Sequence, residues 1–141
     1  MRQQTLFALA SLAILVTACA APSTGTTAPM DYNVLLEDLR QAGAQVEPAG
    51  PVEQSFFSVG GRFLRVDGQD IQVFEYPDVA SRQAESDQIS SDGSTIGTTM
   101  VTWVDQPSFW AQDLLIVLYV GQDEATIGAL SSILGEPLTG A

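Results

Sequence analysis

The sequence contains no histidine and no lysine, and Cys19 is its only cysteine. Those absences remove whole mechanisms. Ser-His-Asp and Cys-His machinery, zinc cages of His and Cys, Schiff-base and P-loop lysines and an internal disulfide all need residues that are missing. Cations are nearly as scarce, since Arg2, Arg40, Arg62, Arg65 and Arg82 stand against seventeen carboxylates. Nucleic-acid binding and polybasic attachment to anionic lipid both need clustered Lys and Arg, so neither is expected of so acidic a chain. No cofactor and no metal is implied. Asp67-Gly68-Gln69-Asp70 and the pair Asp87 and Asp92 offer oxygens without the alternating ligands and distal Glu of an EF-hand, and read as solvated loops. The acidic and hydroxyl groups that remain would support only carboxylate chemistry.

What is present begins with a leader. Met1-Arg2-Gln3-Gln4 carries a positive charge, and Thr5 to Val16 is mostly apolar, the length of an export-signal core and short of the ~20 residues that span a bilayer. Val16-Thr17-Ala18-Cys19-Ala20 follows. These residues resemble the lipobox of bacterial lipoproteins, which implies cleavage before Cys19 and diacylglyceryl transfer to its thiol. Residues 1–18 are then a signal peptide. The rest of the chain has the layout of small bacterial envelope lipoproteins, a resemblance that implies no particular reaction. It implies a protein tethered to the membrane by lipid and facing the periplasm or exterior. Ala20, where aspartate would signal inner-membrane retention, leans towards the outer membrane if the source has two membranes. Residues 19–30 end in a Pro/Thr/Gly/Ser-rich tether, and residues 31–141 form one domain with four arginines against seventeen carboxylates, a net charge of −13.

Within that domain, Tyr32, Leu35, Leu36 and Leu39 repeat at helical spacing over Asp31–Ala42, and Gly43 suits the cap. Glu47-Pro48-Ala49-Gly50-Pro51 reads as a break. Gln54–Val59 and Arg62–Val66 read as extended segments. A hairpin is expected at Asp67-Gly68, and two registers are open. A four-residue loop, preferred because like then meets like, pairs Val66 with Ile71, Phe63 with Phe74 and Arg62 with Glu75; a two-residue turn pairs Val66 with Gln69. A polar helix over Asp78–Ile89 should turn Val79, Ala80, Ala84 and Ile89 inward. Ser90–Gly97 is a loop, and Thr98–Val104 reads as a strand. Asp105–Asp113 reads as a connection, Leu114–Val120 as the most buried strand, and Asp123–Leu134 as a helix. The fold expected is α+β, a mostly antiparallel sheet with helices packed on one face, made of two ββα halves after an N-terminal helix.

Two sets of residues stand out as an interaction surface. Phe63, Phe74 and Tyr76 share one sheet face, which is either open to a ligand or covered by helix one or the Glu47–Pro51 segment. Phe109 and Trp110 lie in the Asp105–Asp113 connection, where they either serve recognition or fold back to close the core. The Ser90–Gly97 loop runs from helix to strand and lacks a lysine, the reverse of a phosphate cradle. The expected role is a non-enzymatic binding or accessory domain for an envelope protein or small ligand. A carboxylate-dependent hydrolase of envelope glycans and a structural assembly factor are the alternatives.

Overall fold

The structure, a computed structural model, describes residues 27–139; Cys19 and the leader lie outside the described residues. Helix α1 (Tyr32–Gln41) begins at Asp31, whose carboxylate accepts the Val34 N–H at 2.9 Å, and stops before Gly43 at φ 94°. Strands β1 (Val46–Val52), β2 (Gly61–Val66) and β3 (Gln69–Glu75) follow, then helix α2 (Val79–Ser86). The two-residue strands β4 (Thr95–Ile96) and β5 (Thr99–Met100) form a separate hairpin. Strands β6 (Pro107–Gln112) and β7 (Leu115–Val120) lead into helix α3 (Glu124–Leu134). The main sheet has the order β1-β2-β3-β7-β6, antiparallel throughout, so the fold is α+β. Two hairpins each run into a helix, β2–β3 into α2 and β6–β7 into α3, and their inner strands meet at the centre.

The Asp67-Gly68 hairpin takes the two-residue register, against the preferred four-residue loop: Val66 faces Gln69, Leu64 faces Ile71 and Phe63 faces Gln72. Asp67 and Gly68 have φ 48° and 86°, the positive values of a type I′ turn. Two bonds to a neighbouring segment secure the turn, from the Gln45 N–H to Asp67 Oδ1 at 2.8 Å and from the Asp67 N–H to the Gln45 carbonyl at 2.9 Å. A shift of two residues leaves every side chain on its expected face. Arg62 still reaches Glu75, now diagonally, at 3.8 Å. Gly61 is required where it stands, because a Cβ there would lie 2.6 Å from the Phe74 ring.

Other segments depart from expectation for identifiable reasons. Glu47–Pro51 is part of strand β1, since prolines without an N–H are tolerated at a sheet edge and a bulge between Pro48 and Gly50 absorbs the mismatch. Gln54–Val59 forms turns and bends. Of Thr98–Val104 only Thr99–Met100 pairs as a strand, while Pro107–Gln112, expected as a connection, is the outer strand beside β7. Helix α2 buries Arg82 and Ser86 instead of Val79, Ala80 and Ala84. Arg82 Nε donates to the Asp113 carbonyl at 2.9 Å and Nη1 to Ser86 Oγ at 3.2 Å, so a guanidinium seats this helix on the β6–β7 turn.

One face of the sheet packs Leu64, Val66, Ile71, Val73, Trp110 and Val117 against α1 and α3. The other carries Phe74, Tyr76, Phe109, Ile116 and Leu118, and irregular segments cover it through Phe57, Ile96 and Trp103. At the β6 edge, the Leu138 N–H reaches the Phe109 carbonyl at 2.6 Å and Thr139 Oγ1 accepts the Phe109 N–H at 3.1 Å. Proline closes one edge of the sheet and the C-terminal segment the other. No helix among the described residues is long and apolar enough to cross a membrane.

Candidate functional site

The five residues expected to form a surface are mostly interior. Phe74, Phe109 and Trp110 are fully buried, and Tyr76 nearly so. Phe109 and Trp110 are neighbours on a strand, so they point to opposite faces, Phe109 into the aromatic layer and Trp110 beneath α3, where Nε1 donates to Ser131 Oγ at 3.2 Å. Tyr76 donates to Glu85 Oε2 at 3.4 Å, and burial, with the Glu85 charge behind it, pushes its hydroxyl above the usual range. Phe63 is half-buried opposite Gln72, outside the aromatic layer. As an interaction surface Phe74, Tyr76, Phe109 and Trp110 are therefore corrected to core, while Phe63 keeps a partly exposed ring.

The aromatic layer is a set of tilted and edge-on contacts: Phe57 with Phe74 at 4.7 Å between ring centres, Trp103 with Phe109 at 5.8 Å and Phe56 with Trp103 at 6.0 Å. Trp103 Nε1 also donates to the Gly93 carbonyl at 2.7 Å. This ring and Val101 hold the strap Thr99–Asp105 against the sheet. Their neighbours in the sequence face outward, with Met100 84% and Val104 98% exposed. That alternation is the mark of extended chain with one face on a core, and here the outer face is apolar as well.

Carboxylates border the strap. Asp92 accepts from the hydroxyls of Ser90 and Ser94 at 2.7 and 2.9 Å and from the Ser94 N–H at 3.0 Å, and these bonds, the Ser90 hydroxyl first, pull its pKa down to about 2. Asp105 is lowered by Gln122, which donates to it at 2.7 Å, and by the Gln106 N–H. Asp78 and Asp123 are lowered by the N–H and hydroxyl groups they cap, of Ser81 and Thr126. All four shifts stabilise the ionised form, whereas a general acid at neutral pH needs its carboxyl raised. A depressed pKa contributes stability in full above the unfolded value, near 3.8 for Asp92, and loses it as the pH falls through about 2. The unfolding temperature of the Asp92→Asn variant should accordingly change less between pH 4 and pH 2 than that of the parent. Equal pH dependence in the two proteins would refute the role of this carboxylate in locking the loop.

Two open concavities of about 360 and 320 Å³ meet at Tyr32 and Arg62, with Glu75, Tyr76 and Pro77 lining one and Pro48, Pro51 and Phe63 the other. Between them Arg62 lies 4.4 Å from the centre of the Tyr32 ring. Their size is at the lower end for small-molecule sites, and both open to solvent. The strap is the part that inspection of the sequence missed. Its one signal is the run Met100-Val101-Thr102-Trp103-Val104, apolar on both parities, and the placement of Trp103 decides which parity is outside. No protein-family model, curated protein or solved structure matches the chain.

Proposed function

We propose that this protein is a lipid-anchored lipoprotein of the bacterial envelope whose domain serves as a non-enzymatic docking module, with the strap Thr99–Asp105 as its contact surface. The observation that carries this reading is the pairing of Met100 and Val104, both open to solvent, on a segment whose alternate residues are pinned to the core. A segment so fixed presents apolar groups at little further entropic cost, as a docking surface must.

The geometry of the tether supports the assignment. The Met30 N–H donates to Asp113 Oδ2 at 2.8 Å and its carbonyl accepts the Leu114 N–H at 3.3 Å, so the chain enters the domain at the β6–β7 turn. Asp105 precedes the far end of β6, a six-residue strand about 20 Å long. An anchor pulling at Met30 would therefore hold the end of the strap at Val104 and Asp105 away from the lipid. The partner would be another envelope protein, and the module an accessory to it.

A photo-reactive amino acid installed at Thr102 in living cells should yield a discrete cross-linked adduct upon irradiation. The same probe at Ser132, exposed on α3, should not. Equal adducts from both positions, or none from Thr102, would rule out the strap as the contact surface.

A further inference from the structure

The β4–β5 hairpin turns on Gly97 and Thr98, with Ile96 opposite Thr99 and Thr95 opposite Met100, and the Val101 N–H reaches the Ser94 carbonyl at 2.9 Å. Antiparallel pairing aims the backbone groups of successive residues to opposite sides of a strand. Thr99 and Val101 thus direct theirs at β4, and Met100 and Thr102 direct theirs away from it, before the chain bends at Val104 and Asp105. Among the described residues, the N–H groups of Thr102 and Val104 have no backbone acceptor. The other side of β4 is already occupied, through the Ser90 N–H to Thr95 carbonyl bond at 2.8 Å and the Gly97 N–H to Gln88 carbonyl bond at 2.9 Å. This small sheet therefore has one free edge, in a protein whose main sheet has both edges closed by proline or by the C-terminal segment.

From Gln83 to Ala141 the sequence holds eight carboxylates and no cation. Asp92 and Asp105 border the strap itself, each kept ionised by the hydrogen bonds described above.

We propose that the edge from Met100 to Trp103 receives an extended segment of a cationic partner protein as an added β-strand. This rests on the docking reading and specifies its mode. The partner segment alternates apolar residues, which pack beside Met100 and Val104, with Lys or Arg that reach Asp92 and Asp105. Backbone hydrogen bonds to Met100 and Thr102 supply the register, and the charges supply the choice of partner. A second copy of this chain fits poorly, because it would set its own Asp92 and Asp105 against these.

The test uses the full acylated protein in neutral detergent and a capped synthetic peptide of about six alternating Val and Lys residues, long enough to span the free edge. Binding should perturb the backbone amide resonances of Met100 to Asp105 and weaken as salt is added. Methylating alternate peptide nitrogens, or substituting Thr102→Pro, should each reduce affinity about tenfold or more by removing strand hydrogen bonds. Thr102→Ala, which keeps the N–H, should bind as the parent does. The same peptide with Glu in place of Lys should not bind. Undiminished binding of the methylated peptide, perturbations centred elsewhere, or a dimer formed through this edge would overturn the proposal. An unfolding temperature for Thr102→Pro matching the parent establishes that the fold is intact; if it is lowered, the methylated peptide decides. Should the Thr102 photo-adduct form in cells while the peptide fails to bind, docking stands and strand addition falls.

Discussion

Replacing Trp110 with alanine is expected to lower the free energy of unfolding by about 3–5 kcal/mol, the range for deleting a large buried aromatic. Trp110 is fully buried beneath α3, and its indole nitrogen donates to Ser131 at 3.2 Å. The substitution both opens a cavity and cuts a tie between the outer strand and the last helix. Against a total stability of about 5–15 kcal/mol for a typical domain, a loss of this size removes between about a fifth and all of it. Trp110→Phe separates the two contributions: it retains most of the buried area and gives up the hydrogen bond, with an expected cost of about 1–2 kcal/mol. Urea denaturation followed by far-ultraviolet circular dichroism measures both. If Trp110→Ala cost no more than Trp110→Phe, the residue would not be the packing anchor the fold makes it.

Cys19→Ser should move the protein from the membrane fraction to the soluble fraction of the envelope and abolish incorporation of labelled fatty acid. Each buried methylene contributes about 0.8 kcal/mol, so two or three acyl chains hold a protein in its leaflet essentially without exchange. Nothing else in the composition substitutes for them. The domain carries four arginines against seventeen carboxylates, and anionic headgroups repel such a surface. Membrane retention of Cys19→Ser would require a different attachment and would remove the basis for the envelope assignment. That result would leave the strap's free edge untouched, because the edge is a property of the folded domain alone.

The elements that were legible in the sequence are those whose signals are local. Helix α1 follows from the spacing of Tyr32, Leu35 and Leu39. All three helices start at aspartates, Asp31, Asp78 and Asp123, that accept an N–H three residues on. Seven consecutive apolar residues mark the buried inner strand β7. The hairpin register is set by the turn itself and not by matching like with like across the rungs. Asp-Gly supplies the positive φ of a two-residue turn, and tertiary bonds to Gln45 reinforce it. The inward face of helix α2 is not legible in hydropathy, which treats arginine as a surface residue, whereas the Asp113 carbonyl offers Arg82 a buried acceptor.

Residues 105–113 show where local reading ends. Asp105, Gln106, Pro107 and Ser108 have the composition of a loop, and two aromatics in a loop invite a functional interpretation. Pairing with β7 and cover from Leu138 and Thr139, about thirty residues further on, make Pro107–Gln112 a strand and put Phe109 and Trp110 on opposite sides of it. The Gln54–Val59 and Thr98–Val104 segments are the converse. Their β-branched and aromatic content suits strands, yet their partners are side chains of the aromatic layer.

By itself, then, the sequence determined the α+β class, the acidity, the chemistry that is missing and the helices with their caps, because propensity, capping and charge act over a few neighbouring residues. Tertiary structure alone decided which aromatics are core, which edges of the sheets are closed, and that the strap from Met100 keeps an edge unpaired among the described residues. Strand pairing and burial are contacts between distant parts of the chain, and no window of neighbouring residues contains them.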